Sequence, residues 1–421
     1  FLIQNPMTAP IAPQPKKDPQ KRSRVPTLPP AQRSRAALGL AIAAGRGQFA
    51  LQHCADCGAV QYPPRDACCK CLSVALDWRE TDCAGEVLAE TTIRVSPDPY
   101  FRERLPWRIG TVQLAAGPVA VCHLHGEVGR GDRVRLVLKL DKAGQGVMVA
   151  LPEQGSEWMQ DDPMLREMSC DPKHRRVLIT NARSPLALPL AQALLKAGAA
   201  TVFVGEPEDW RRWEGRAAFE GIENVSLMPL DVTDTASISR LAAEIGGKVD
   251  ILINTAQFIR PGGVMGGDTI FAREGMETNV LGLMRLAQGF GPAMASRTAD
   301  GVNSAVAWVN LLSVGALAPD AGFGGFDASQ AAARSLSQTL RAEFAGSGLR
   351  VMNVYTGPID DEWHQPLPPP KVSPRSLART VVSGLVDGLE EVACGDVAKD
   401  ALARWLDDPA LMEHETRGSG A

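Results

Sequence analysis

From residue 176 to residue 405 the sequence alternates short apolar runs with helix-length stretches, and this alternation restricts the fold more than any other feature. Runs at 177–180, 201–205, 225–229, 249–254, 305–312 and 349–355 read as strands. Stretches at 186–197, 237–245, 276–289 and 328–344 read as helices between them. Unbroken apolar strands are buried on both faces, and repeated strand–helix–strand units require a parallel sheet with helices on both sides. The expectation is an α/β fold, with a Rossmann-like doubly wound parallel sheet over 176–405.

The chain has 421 residues, enough for two or three domains at about 150 residues each. Residues 1–35 carry eight prolines, with Lys16, Lys17, Lys21, Arg22, Arg24, Arg33 and Arg35 among them. They read as a disordered, Pro-rich basic tail. Residues 36–155 read as a separate small domain: a helix at 36–48, four cysteines, then strands at 85–92, 108–115, 119–124, 133–139 and 146–151. Gly and Pro punctuate these strands, as in a small barrel. Residues 156–175, with Glu157, Asp161 and Asp162, read as a linker, and 406–421 as a flexible C-terminal tail.

Lys and Arg total 44 against 48 Asp and Glu, a net charge of −4. That balance argues against a nucleic-acid partner. No apolar run is long enough for a membrane span, and residues 1–6 lack the form of a signal peptide, so Met7 reads as a start. The expected compartment is the cytoplasm, with the nine cysteines as thiols or metal ligands.

Cys54-Ala-Asp-Cys57 and Cys68-Cys-Lys-Cys71 are two CxxC knuckles separated by ten residues. Each offers two thiolates, and together they close a tetrahedral, structural Zn²⁺ site with no position left for water. Gly58 suits the turn after the first knuckle. Cys69 reads as a bystander and His53 as a surface residue. His123 and His125 read as a polar barrel face, Trp210 and Trp213 as helix packing, and Cys83, Cys122, Cys170 and Cys394 as buried thiols.

The segment from Leu51 through Tyr62-Pro63-Pro64-Arg65 to Cys71 resembles the rubredoxin-like zinc ribbon of the acyl-CoA-associated OB-fold proteins. The likeness continues through Trp78, Gly85-Glu-Val, Thr91-Thr92-Ile-Arg94 and Gly131-Asp-Arg-Val. Members of that family are non-catalytic partners of thiolase-fold enzymes. The resemblance implies a thiolase-fold partner, acyl-CoA as the substrate class and a role in holding the CoA thioester.

The second half resembles the short-chain dehydrogenase/reductase family. Leu230-Asp231-Val232-Thr233 matches its adenine-side acidic motif, and Asn254-Thr-Ala-Gln257 stands where Asn-Asn-Ala-Gly is usual. Asp231 and Asn254 are therefore the implied cofactor-binding positions. Asn279 and Ser313 match the active-site asparagine and serine. Phe326 and Gln330 stand where Tyr-x-x-x-Lys is usual, thirteen and seventeen residues after Ser313. The resemblance implies hydride transfer at NAD(P), but Phe326 has no ionisable proton and Gln330 no charge. In the Gly-rich turn, Asn181, Pro185 and Ala187 replace the three glycines. No catalytic residue is therefore assigned, and NAD(P) binding is not expected. The combined expectation is an accessory, non-redox subunit. Its zinc-ribbon/OB module pairs with a thiolase-fold enzyme for 3-oxoacyl-CoA cleavage. Its pseudo-dehydrogenase scaffold pairs with an active short-chain dehydrogenase or with itself. The alternative is an active NAD(P)-dependent 3-hydroxyacyl-CoA dehydrogenase with an atypical active site.

Overall fold

The computed structural model describes residues 9–13, 25–31, 34–207, 213–299, 304–365 and 367–418. The N-terminal module opens with helix α1 (Leu38–Gly45). Strands β1 (Ala50–Cys54), β2 (Val60–Gln61) and β3 (Leu76–Glu80) follow. They form a small antiparallel sheet in the order β2-β1-β3, from which the two knuckles project.

Next come β4 (Ala84–Ile93), the short helix α2 (Pro99–Arg102), β5 (Trp107–Leu114), β6 (Val119–Leu124), β7 (Arg133–Leu140) and β8 (Gly146–Pro152). These five strands close a barrel in the order β4-β5-β6-β8-β7. Alternation fills it: Val112, Leu114, Ala120, Leu124, Val134 and Leu136 point inward and are buried.

The C-terminal domain holds β9 (Arg176–Ile179), α4 (Ala187–Lys196), β10 (Thr201–Glu206), β11 (Val225–Pro229), α5 (Thr235–Ile245) and β12 (Ile251–Asn254). It continues with α6 (Thr269–Gly275), α7 (Gly282–Ser296), β13 (Ala307–Ser313), α8 (Gly324–Phe344) and β14 (Arg350–Thr356). It ends with α9 (Pro374–Asp387), β15 (Glu391–Cys394), α10 (Asp396–Asp407) and α11 (Pro409–Gly418). The sheet is parallel throughout, in the order β11-β10-β9-β12-β13-β14-β15. Its two faces divide residues by parity. Val177, Ile179, Ile251 and Ile253 enter one core, while Leu178, Leu252 and Trp308 enter the other. The expected doubly wound architecture is present.

Three expectations change. The 156–175 linker is folded: it carries the short helix α3 (Pro163–Glu167), and its Asp161, Asp162 and Arg166 are buried. The segment lies between the modules, so its polar groups are used as ties. Asp162 accepts from Gly126 N at 2.8 Å, and Lys173 Nζ reaches Asp161 at 2.6 Å. The end of the chain, expected to be flexible, forms α11, which buries Met412 and pairs Glu415 with Arg404 at 3.0 Å. The described parts of the 1–35 tail lie on the body. Ile11 bonds Asp161 and His174, and Thr27 bonds Glu103 and Arg104. The tail lysines fall outside the described residues. No helix among the described residues is long and apolar enough to cross a membrane.

The modules meet along β7, the turn after it, and the end of α9. Arg350 donates to Leu140 O at 2.8 Å and Gly388 O at 2.8 Å, and to Met168 O and Asp141 O. Lys139 Nζ reaches Asp387 O at 2.8 Å, and Glu390 N reaches Gly45 O at 2.8 Å. A fork with several donors suits a cluster of carbonyls better than a point charge does.

Candidate functional site

The two knuckles converge. One sulfur from each of Cys54, Cys57, Cys68 and Cys71 lies within 4.8 Å of the other three. Cys54 and Cys71 sulfurs are 3.5 Å apart, and Cys57 and Cys68 sulfurs 3.6 Å. A zinc tetrahedron with bonds of about 2.3 Å has sulfur–sulfur edges of about 3.8 Å, so the cage fits that ion. Backbone N–H groups of Cys71 and Lys70 pull the Cys68 thiol down to about 6, while burial and the neighbouring sulfurs push Cys57 and Cys71 up. Gly58 turns at φ +70°, and Leu72 does the same after the second knuckle at φ +62°. Sequence reading missed the support beneath. Gln52 and Gln61 are buried against each other at 2.9 Å, and Gln61 Oε1 accepts from Cys69 N at 2.9 Å. His53 bonds Thr81 at 2.9 Å and stays outside the sulfur set. Cys69 is exposed, Cys122, Cys170 and Cys394 are buried, and Cys83 is only half-buried, a correction to its expected burial. His123 Nδ1 accepts from Trp107, and His125 Nε2 donates to Met159 O.

In the dehydrogenase-like cleft, the structure brings Asn279, Ser313, Phe326 and Gln330 to the neighbouring ends of β12, β13 and α8. Asn279 lies in a π-helical turn between α6 and α7, a bulge typical of functional positions. Its Oδ1 accepts from Phe258 N at 2.7 Å, and its Nδ2 donates to Phe258 O at 3.1 Å and Ser329 Oγ at 2.8 Å. Asn279 therefore clamps the loop after β12 onto α8. Ser313 Oγ accepts from Gly315 N at 3.1 Å. Gln330 is buried, and its Oε1 accepts from Ser313 N at 3.0 Å and from Gln257 Nε2 at 3.4 Å. Phe326 is buried edge-on to Phe323.

Two further ionisable groups stand close by, and sequence reading missed both. Asp327 is buried, its carboxylate accepts from Asp320 N at 2.7 Å, and burial lifts it to about 6. His364 is buried, stacks on Phe323 at 6.0 Å and pairs through Nδ1 with Asp361 at 2.7 Å. Both signals sit on unremarkable stretches of sequence. Tyr355 is turned away: its Oη accepts from Arg334 Nε at 3.1 Å, and burial raises its phenol.

The turn after β9 uses its own amides. Arg183 N donates to Asn181 Oδ1 at 3.0 Å and Ser184 N to Asn181 O at 3.3 Å. Leu186 N donates to Ser184 Oγ at 3.3 Å and Ala187 N to Ser184 O at 2.9 Å. Pro185 has no N–H. A pyrophosphate at a helix N-terminus is held by such amides, and these four are engaged within the turn. Asn254 Oδ1 accepts from Thr180 Oγ1 at 2.9 Å, and Asp231 Oδ1 accepts from Thr233 N at 2.8 Å. Both cofactor-side candidates are thus engaged locally. Trp213 Nε1 bonds Glu206 at 2.6 Å and its ring packs on Phe219; Trp210 lies outside the described residues.

Three family models match in sequence order. The ChsH2 rubredoxin-like zinc ribbon domain matches residues 43–77, the ChsH2 C-terminal OB-fold domain 78–139, and short chain dehydrogenase 175–371. The chain is 30% identical over 189 residues to galactitol 2-dehydrogenase (L-tagatose-forming) of Cereibacter sphaeroides, covering 44% of this chain and 71% of that protein. It is 28% identical over 232 residues to a fatty acyl-CoA reductase of Acinetobacter baylyi, covering 52% and 76%. A short chain dehydrogenase from Burkholderia cenocepacia, solved in complex with NADP, superposes with TM-score 0.52 at 28% identity, covering 58% of this chain and 98% of that one. The chain spans 54%, 66% and 52% of the lengths of the curated relatives it matches first.

Proposed function

This chain belongs to the short-chain dehydrogenase family and carries a ChsH2-type zinc ribbon and OB fold ahead of the dehydrogenase domain, and from that premise we propose an accessory, non-redox role in acyl-CoA processing. In this reading the zinc-ribbon/OB module docks a thiolase-fold enzyme that cleaves a 3-oxoacyl-CoA. The dehydrogenase-fold domain serves as scaffold, paired with an active short-chain dehydrogenase or with a second copy. Zinc is structural, held by Cys54, Cys57, Cys68 and Cys71, and the assembly works in the cytoplasm.

The observation that carries the reading is the state of the four family positions. Reduction of a carbonyl needs a proton donor, and general acid catalysis is worth about 10²–10⁴-fold. Phe326 has no proton to give, and Gln330 spends its carbonyl on Ser313 N. The turn after β9 has separately committed its amides.

Calorimetric titration of the full chain with NADH and NADPH tests the reading. No binding up to millimolar concentration is expected; micromolar binding overturns the non-redox role. Co-purification tests the partnership: a monodisperse monomer without affinity for any thiolase subunit overturns it.

The second reading is an active dehydrogenase on acyl-CoA substrates. Two observations favour it: the shared fold with an NADP-bound relative, and an acidic Asp327 beside Phe326 with its carboxyl lifted to about 6. Loss of NADPH-dependent turnover in D327N is its signature.

A further inference from the structure

A cavity of about 250 Å³ lies between α6, the loop at 257–268 and the start of α8. Its walls are mostly apolar or bare: Phe258, Phe271 and Phe326 supply rings, Gly263 and Gly324 supply backbone, and Asp268 and Thr269 are the polar lining at the start of α6. A side chain at either glycine would collide, at 2.8 Å from Ala321 O or from Val264 Cγ2. One cation lines this space. The Arg260 guanidinium lies 3.9 Å from the Trp363 ring centroid, 4.9 Å from Phe258 and 5.9 Å from Phe271. Phe258 is itself clamped through both backbone groups by Asn279.

Rings on several sides hold the half-buried guanidinium by cation–π contact. Of its five N–H groups, one donates to Ile259 O at 3.0 Å; the others have no partner among the described residues. The two nearby acids have partners of their own, and neither pairs with Arg260. Asp268 caps α6 through Ile270 N, and Asp361 pairs with His364. Val264, in the lining, is an exposed apolar side chain.

A preorganised donor fork is matched in shape and charge by a carboxylate. The apolar walls and rim suit a hydrocarbon body. The volume is below the about 300–1,000 Å³ of ordinary ligand pockets and suits a small ligand. We propose that this cavity binds a small carboxylate on an apolar chain, with Arg260 as its anchor. This inference does not depend on the accessory role, because it concerns a separate ligand.

The test is calorimetric titration of the full chain at pH 7.5 with hexanoate and, separately, with hexanamide, which has the same shape without the charge. Saturable hexanoate binding is expected, at least tenfold weaker for hexanamide and at least tenfold weaker in R260Q. R260K keeps the charge without the fork and is expected to weaken binding as well; circular dichroism confirms that each variant is folded. No hexanoate binding, equal affinity for hexanamide, or unaltered affinity in a folded R260Q or R260K overturns the proposal. NADPH binding is read separately, so failure here leaves the accessory role standing.

Discussion

The side-chain carbonyl of Gln330 accepts the backbone N–H of Ser313 at 3.0 Å, tying α8 to the end of β13. The tie occupies the place where the family's lysine would carry its charge. Q330K would bury an ammonium there, lose the acceptor for Ser313 N and leave that donor unpaired. A loss of about 2 kcal/mol is expected by urea denaturation. F326Y/Q330K is expected to leave the NADPH titration flat, because the turn after β9 still spends its amides internally.

One zinc per chain is expected by native mass spectrometry. A structural zinc supplies on the order of 10 kcal/mol of folding energy to its module. C54S or C68S, or strong chelators, should therefore abolish the ribbon's protection in hydrogen exchange. The parallel sheet, with its own two cores, should keep its protection.

Glu167 anchors the folded linker. Its carboxylate meets Arg104 Nε at 2.8 Å and Lys142 Nζ at 2.9 Å. Burial pushes its pKa up, but the two cations outweigh burial and hold it at about 2. A carboxylate depressed in the folded state stabilises above its unfolded value and loses that contribution as pH falls through the folded value. The urea midpoint should drop between about pH 4.5 and pH 2. In E167Q that part of the pH dependence should vanish.

Asp327 has the opposite sign. Burial holds it protonated up to about 6. Its contribution is complete below the unfolded value and declines as pH rises through the folded one. D327N, which keeps an acceptor for Asp320 N, should match the parent at pH 4 and exceed it at pH 8. Thermal scans at both values read the difference.

Arg350 stitches the modules through carbonyls of Leu140, Asp141, Met168 and Gly388. R350A strands those acceptors at the seam, at a cost of about 3 kcal/mol. A single calorimetric transition is expected to split into two, one for each module. One unsplit, unshifted transition would show that other contacts hold the seam.

Much of this architecture was legible in the sequence because its causes are local. A knuckle needs two thiols three residues apart, a buried parallel strand needs an apolar run, and a missing phenol or lysine is visible by inspection at Phe326 and Gln330. The sequence alone therefore determined the cysteine cluster, the barrel strands, the first six strands of the parallel sheet with four of its helices, and the Phe and Gln at positions 326 and 330; it did not show α6, α9, β15 or α10. Tertiary structure decided what depends on residues far apart in the chain. The rings around Arg260 come from positions 258, 271 and 363, and the seam joins Arg350 to Leu140, 210 residues away. The folded linker and α11 escaped notice for the same reason: their few apolar or acidic residues gain partners only after the modules pack. Periodicity and ligand spacing record which elements form. Which side chains then meet is set by packing, where desolvation and hydrogen-bond satisfaction are settled among distant neighbours.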